Sequence, residues 1–270
     1  MEIFEPVFID VTVPDQVLLR TDPLLPSASR PYLPACHPND TDAIWYCGHA
    51  PAMTFDSHGA ILIWQPENNL GGPARQADPN TGQARLGETG GVVYHREING
   101  GFVIDSAIVD AEKFCCALRV KSDQGQARTL LTVNPDQHGN YLFASEKDGV
   151  LEWRDDGGTV SVSVPSPGGE FWVVLGYDCG RLRISAAKSG DVFPPPRSST
   201  DQADDLALAL GGANDLFIGC RSHRKGILKT LGASTIRDVL IWLDHDGGGA
   251  VDQSKIIQAC RFVESGGDRA

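Results

Sequence analysis

The chain has 270 residues, a formal net charge of −12, 30 glycines and 17 prolines. Aliphatic and aromatic residues make up 41%, enough for one sizeable core, and all-β units of this length occur as single domains. The acidic balance and the lack of clustered Lys and Arg speak against nucleic-acid binding, which needs cations to displace counterions.

The chain opens Met1-Glu2-Ile3-Phe4-Glu5-Pro6, with no basic start and no apolar stretch of a secretory leader. Synthesis in the cytoplasm is therefore expected. No run approaches the ~18 apolar residues of a membrane span, so no membrane insertion is expected. Residues 1–34 read as an extended arm punctuated by Pro6, Pro14, Pro23, Pro26, Pro31 and Pro34. Val7 to Val13 alternates as one strand, at an edge because proline is confined to edges and strand starts. It is either a terminal strand of the main unit or an arm that seats the chain in an oligomer or particle.

Residues 35–90 hold two strand candidates, Ala43 to Cys47 and Ala60 to Gln65, then a turn-rich stretch from Pro66 to Gly91 that includes Asp78-Pro79-Asn80-Thr81-Gly82. A loop this long either carries function or marks a boundary. From residue 91 to 264 short alternating strands follow at Phe102 to Asp105, Phe114 to Lys121, Thr129 to Val133, Tyr141 to Ser145 and Val150 to Arg154. Thr159 to Val164, Phe171 to Tyr177 and Arg181 to Ala187 continue the series. Gly, Asn and Asp turns separate them, as at Lys147-Asp148-Gly149 and Asp178-Cys179-Gly180. Strands spaced by ~8–12 residues with such turns predict an all-β, two-sheet antiparallel sandwich. A second long loop spans Pro194 to Asp201, before Leu206 to Leu210. Leu151 and Trp153 are expected to face the core and Glu152 and Arg154 the solvent. The same reading turns Leu182, Ile184 and Ala186 inward and Arg181, Arg183 and Ser185 outward. Trp153, Phe171, Phe217 and Trp242 are expected between the sheets.

The last third carries Asn214-Asp215-Leu216-Phe217-Ile218-Gly219 and then Ile236-Arg237-Asp238-Val239-Leu240-Ile241-Trp242, followed by a helix predicted over Asp252 to Cys260. This pairing resembles the end of the concanavalin A-like jelly roll, shared by legume lectins, laminin-G modules and many polysaccharide-binding or polysaccharide-cleaving domains. The resemblance covers roughly residues 100–262 and implies a jelly roll with a short C-terminal helix. It also implies an exposed sheet face on which glycans lie.

The Glu-x-Asp-x-x-Glu strand of the glucanase branch is missing, and retaining hydrolysis needs two carboxyls ~5–5.5 Å apart. The nearest acidic cluster, Glu152 to Asp156, puts two of its carboxylates in a turn. No catalytic residues are assigned. The favoured reading is a carbohydrate-binding protein without cleavage, a host-adhesion spike component of a phage-like or gene-transfer particle whose partner is a surface polysaccharide. A polysaccharide-degrading enzyme on the same fold and a protein-interaction module stand as alternatives. Candidate ligand residues are Arg119, Lys121, Arg181 and Arg183, a basic run suited to acidic sugars, with Tyr141 and Tyr177 beside turns where rings stack on sugar faces.

No cofactor is expected and no metal site is assigned. If a structural calcium is present, Asp136, Asn140 and Asp215 are its nearest donors. Asp244 to Gly249 looks like a calcium loop, but its twelfth position, where a bidentate Glu belongs, is Lys255. Seven cysteines without Cys-x-x-Cys spacing read as free thiols of a reducing compartment, with a Cys36–Cys47 bridge as the alternative.

Overall fold

The computed structural model describes residues 35–266 apart from 69, 78–83, 97–99, 111, 137–138 and 222–231. The expected arm of residues 1–34 and the Asp78 to Gly82 turn lie outside the described residues. In chain order the strands are β1 (Ile44–Cys47), β2 (Met53–Phe55), β3 (Ile61–Trp64), β4 (Ala74–Gln76), β5 (Arg85–Leu86) and β6 (Val92–Tyr94). Then come β7 (Phe102–Val109), β8 (Lys113–Ser122), β9 (Arg128–Pro135), β10 (Leu142–Lys147), β11 (Val150–Asp155) and β12 (Ser161–Pro165). The last are β13 (Gly169–Asp178), β14 (Arg181–Lys188), β15 (Arg197–Ser198), β16 (Ala213–Ile218) and β17 (Ser234–Leu243). Two α-helices, α1 (Asp204–Ala209) and α2 (Ala250–Glu264), and two short 3-10 turns, Pro38–Thr41 and Ala50–Ala52, complete the described elements.

Among the described residues the strands form two antiparallel sheets. One has eight strands in the order β15-β14-β13-β8-β17-β6-β5, with β1 also paired to β17. The other has nine, in the order β12-β11-β10-β9-β16-β7-β4-β3-β2. Strands from residues 35–90 are thus hydrogen-bonded into both sheets. The turn-rich stretch also holds β4 and β5, which are too short to show a period in sequence. Two hairpins close in two residues. Asp148-Gly149 has φ of 52° and 75°, and Cys179-Gly180 has φ of 44° and 88°, the left-handed pair that matches strand twist.

Trp153 and Phe171 lie in the core between the sheets, with Leu131, Leu142, Leu182 and Ile241. Trp242 and Phe217 are fully buried but elsewhere, which corrects the expected placement. Side chains alternate across a strand, so Ile241 points inward and Trp242 to the outer face of the eight-stranded sheet. There it packs with Trp45 and Trp172 beneath Ile256, Ala259, Cys260 and Val263 of α2, an apolar stripe of helical spacing. Phe217, between the inward Leu216 and Ile218, lies with Val103 and Cys220 on the outer face of the nine-stranded sheet. The result is a sandwich with a helical layer on one side. All seven cysteines are free thiols. Burial pushes Cys116 and Cys220 up to about 12, which keeps both as inert thiols.

Candidate functional site

The residues expected to bind a ligand do not converge. Arg119, Lys121, Arg181 and Arg183 belong to β8 and β14 of the eight-stranded sheet, whose outer face is covered in part by α2. Arg119 is 12% exposed and pairs with Glu170 at 2.5 Å and Asp238 at 3.7 Å. Glu170 also holds Arg237 at 3.2 Å. Arg183 is bound to Asp246 at 2.5 Å and Asp178 at 3.2 Å, which fastens the loop before α2 to the sheet. Ser185, expected in solvent, is buried and donates to the Pro194 carbonyl at 2.9 Å. Lys121 and Arg181 remain exposed. Tyr177 is buried in the inter-sheet core and stacked on Phe114 at 5.1 Å between centroids, so it has no face to offer a sugar. Burial raises its phenol to about 12.

The eight-stranded sheet keeps a cleft of about 260 Å³ beside Val93, Lys121 and Thr235, and the nine-stranded sheet also leaves part of its outer face open. Register aligns one row across it: Arg154 opposite Phe143, Phe143 opposite Thr132, Thr132 opposite Phe217, and Phe217 opposite Val103. Directly opposed side chains share a face and touch. The middle of this row is roofed by the chain leaving β16. Gly219 adopts φ 74°, a left-handed conformation natural to glycine, and a Cβ there would collide with the Tyr94 ring. The turn sets Cys220 over Thr132, whose hydroxyl donates to the Cys220 carbonyl at 3.1 Å. It also delivers Arg221 to Phe143, with the guanidinium carbon 3.9 Å from the ring centroid. Arg154 approaches the same ring at 5.6 Å. Such cation–π contacts hold guanidinium groups in place.

Beside this cluster opens a cleft of about 280 Å³, lined by Thr129, Phe143, Ser145, Lys147, Glu152 and Arg154 together with Arg128, Glu146 and Arg221. Tyr141 is not part of this lining; it is half-buried next to it, with its ring 5.9 Å from that of Phe143. Burial and a hydrogen bond with Asp156 push its phenol above the usual range, while Arg221 draws it down. The chain around Tyr141 is fixed by Asp155. Its carboxylate accepts from the Val160 amide at 2.9 Å, the Thr159 hydroxyl at 2.7 Å and the Asn140 amide at 3.1 Å. Burial disfavours its charge, but these donors outweigh burial and hold the carboxyl below its ordinary value.

A group with a depressed native pKa contributes stability that is present above the unfolded value and lost as pH falls through the folded one. Asp155→Asn should therefore be less stable than the parent at pH 7. It should also show a shallower loss of melting temperature below about pH 4, where a free carboxylate titrates. Parallel melting curves of parent and variant down to pH 2 would count against that role.

The lining holds two carboxylates, but they are not a pair facing the cleft. Glu146 turns inward across the sandwich, where its oxygens bind the Ser122 and Ser166 hydroxyls and accept the Ala127 amide at 3.0 Å. Among the described residues no three His, Cys, Asp or Glu side chains group as metal ligands. Two of the three expected calcium donors are engaged within the protein. Asn140 serves Asp155, and Asp215 accepts the Ser106 amide at 2.9 Å. No helix among the described residues is long and apolar enough to cross a membrane.

No protein-family model matches the chain, and no curated protein matches it. Solved structures do. An arabinofuranosidase complexed with arabinofuranosyl-alpha-1,2-xylobiose aligns with a TM-score of 0.52 at 8% identity, over 75% of this chain and 51% of that one. The receptor binding domain of a botulinum neurotoxin mosaic serotype C/D aligns at 0.50 and 10% identity, over 84% and 51%. Domains LG4-5 of the mouse laminin alpha1 chain match at 0.38 and 15% identity, over 54% and 39%. The chain thus spans about half the length of the first two. Identities this low establish architecture alone. That architecture is the concanavalin A-like jelly roll, two antiparallel sheets with a helix after the last strand.

Proposed function

We propose that the chain binds a surface polysaccharide without cleaving it, in the cleft on the open face of the nine-stranded sheet. The observation that carries this reading is the mixed lining of that cleft, hydroxyls of Thr129 and Ser145 and charged groups of Lys147, Glu152 and Arg154, with the Tyr141 ring beside the lining residue Phe143. Sugars present both hydroxyls and an apolar ring face, and such a site answers both. About 280 Å³ suits one unit of a longer chain lying across the sheet. The complex of the aligned arabinofuranosidase with an arabinose-bearing oligosaccharide agrees with a saccharide ligand. The inward-turned Glu146 leaves Glu152 as the carboxylate facing the cleft, which favours binding over a two-carboxylate hydrolysis.

Ser145 projects from β10 into this cleft, so Ser145→Trp should fill it. The expected result is at least a tenfold loss of polysaccharide affinity by calorimetry, with an unchanged melting temperature. Arg181→Ala, on the other sheet, should bind as the parent does. A loss in Arg181→Ala with none in Ser145→Trp would move the site to the eight-stranded sheet. Release of reducing ends would replace binding by hydrolysis.

The same reading assigns residues 1–34 to assembly with an oligomer or phage-like particle, supported by their proline-punctuated sequence. Removing residues 1–20 should leave the melting temperature unchanged and abolish joining, read by sedimentation. Insoluble protein after the deletion would make the segment a strand of the sandwich instead.

A further inference from the structure

We infer that the cleft selects a saccharide unit carrying a carboxylate, a uronate-type sugar. This rests on the saccharide reading of the same cleft and adds the charge of the ligand to it. On a chain with a net charge of −12, the lining gathers Arg128, Lys147, Arg154 and Arg221 against Glu152, while Glu146 is engaged inside the sandwich. Two of those cations have only loose acidic neighbours. Lys147 lies 3.9 Å from Asp148 and Arg154 lies 3.9 Å from Glu152, at distances where exposed pairs contribute little.

Arg221 carries the inference furthest. Its guanidinium packs over Phe143 at 3.9 Å, which fixes its plane. Its Nε is buried and donates to no acceptor. The buried Nε is out of a ligand's reach, which leaves the terminal nitrogens of the guanidinium to meet an acceptor in the cleft. A planar guanidinium held by an aromatic ring is matched by a planar carboxylate, which takes two parallel N–H bonds where a hydroxyl takes one. Phe143 itself is 5% exposed, so the ring acts as a mount for Arg221 rather than as a stacking platform. Arg221 is thus a specificity-determining residue, placed there by the Gly219 turn.

The test uses the full chain and three probes: an oligogalacturonate, its methyl ester, and a sulfated neutral oligosaccharide of equal length. Calorimetry at low and moderate salt should show the free acid binding at least tenfold tighter than the ester, with the preference shrinking as salt rises. Arg221→Ala should erase the preference, and Arg221→Lys should keep only part of it. Lys147→Ala, at a side chain 64% exposed, tests the same point without a risk to folding and should reduce the preference several-fold. Equal affinity for acid and ester would overturn the inference while leaving saccharide binding intact. Tighter binding of the sulfated probe than of the uronate would overturn the carboxylate assignment. Failure to bind any of the three would instead bring down the saccharide reading itself.

Discussion

Trp242→Ala is expected to destabilise the protein by roughly 3–5 kcal/mol, the usual range for removing a buried indole. In a body of this size that corresponds to a fall in melting temperature of roughly 10 °C. The indole is fully buried between the eight-stranded sheet and α2, among Trp45, Trp172, Ile256 and Cys260. Its Nε1 donates to the Thr41 hydroxyl at 3.3 Å, and Thr41 in turn donates to the Pro38 carbonyl at 2.8 Å. Losing it therefore opens a cavity and frees the turn that leads into β1. Trp172 adds a polar tie between sheet and helix, donating to Glu264 at 2.8 Å. Truncation at Gly249 should expose three indoles on one sheet face, a patch large enough to drive association. Soluble, monomeric protein after that truncation, together with an unshifted melt for Trp242→Ala, would show that the helical layer is not docked in solution.

That helix explains what the sequence concealed. A period of two says which residues share a face, so the separation of Trp153 from Arg154 was legible. It does not say which outer face another element covers. Arg119 and Arg183 alternate as solvent residues do, yet α2 and its loop close over them and convert them into buried ion-pair partners. Tyr177 sits next to a tight turn and reads as a rim residue, but its strand position turns it onto Phe114. The strands and turns of residues 102–188 were clear because each has several alternating residues and a Gly or Asp turn. Elements of two or three residues, such as β4 and β5, leave no periodic trace. The cleft was hidden for a different reason. Phe143, Arg154 and Thr132 become neighbours only through cross-strand register, and Arg221 reaches them only through the left-handed Gly219. The Ile218-Gly219 pair was visible as a strand end, and a glycine at that point was the one local sign that the chain turns back over the sheet.

Glu146 offers the second large effect, because it couples the two sheets directly beneath the cleft. Its carboxylate is fully buried and receives the Ser122 hydroxyl from the opposite sheet, the Ser166 hydroxyl after β12, and the Ala127 amide at 3.0 Å. Glu146→Leu would keep most of the volume but strand two buried donors, the Ser122 hydroxyl and the Ala127 amide, and free the half-buried Ser166 hydroxyl. A stranded buried donor costs about 1–3 kcal/mol, so the two together give an expected loss of roughly 2–6 kcal/mol. Glu146→Gln retains one acceptor oxygen and should lose less than half of that. Because Ser145 and Lys147 flank Glu146 on the cleft side of β10, the leucine variant should also weaken saccharide binding at temperatures where it is still folded. Denaturant unfolding of the three proteins, with binding measured well below each midpoint, separates the two effects. A buried polar cluster replaced whole by apolar side chains can be neutral or stabilising. Glu146→Leu keeps both serines and the Ala127 amide, so that relief is unavailable to it. A leucine variant as stable as the parent would mean that desolvation of the carboxylate cancels all three hydrogen bonds. The clasp would then hold the geometry of β10 without stabilising the fold.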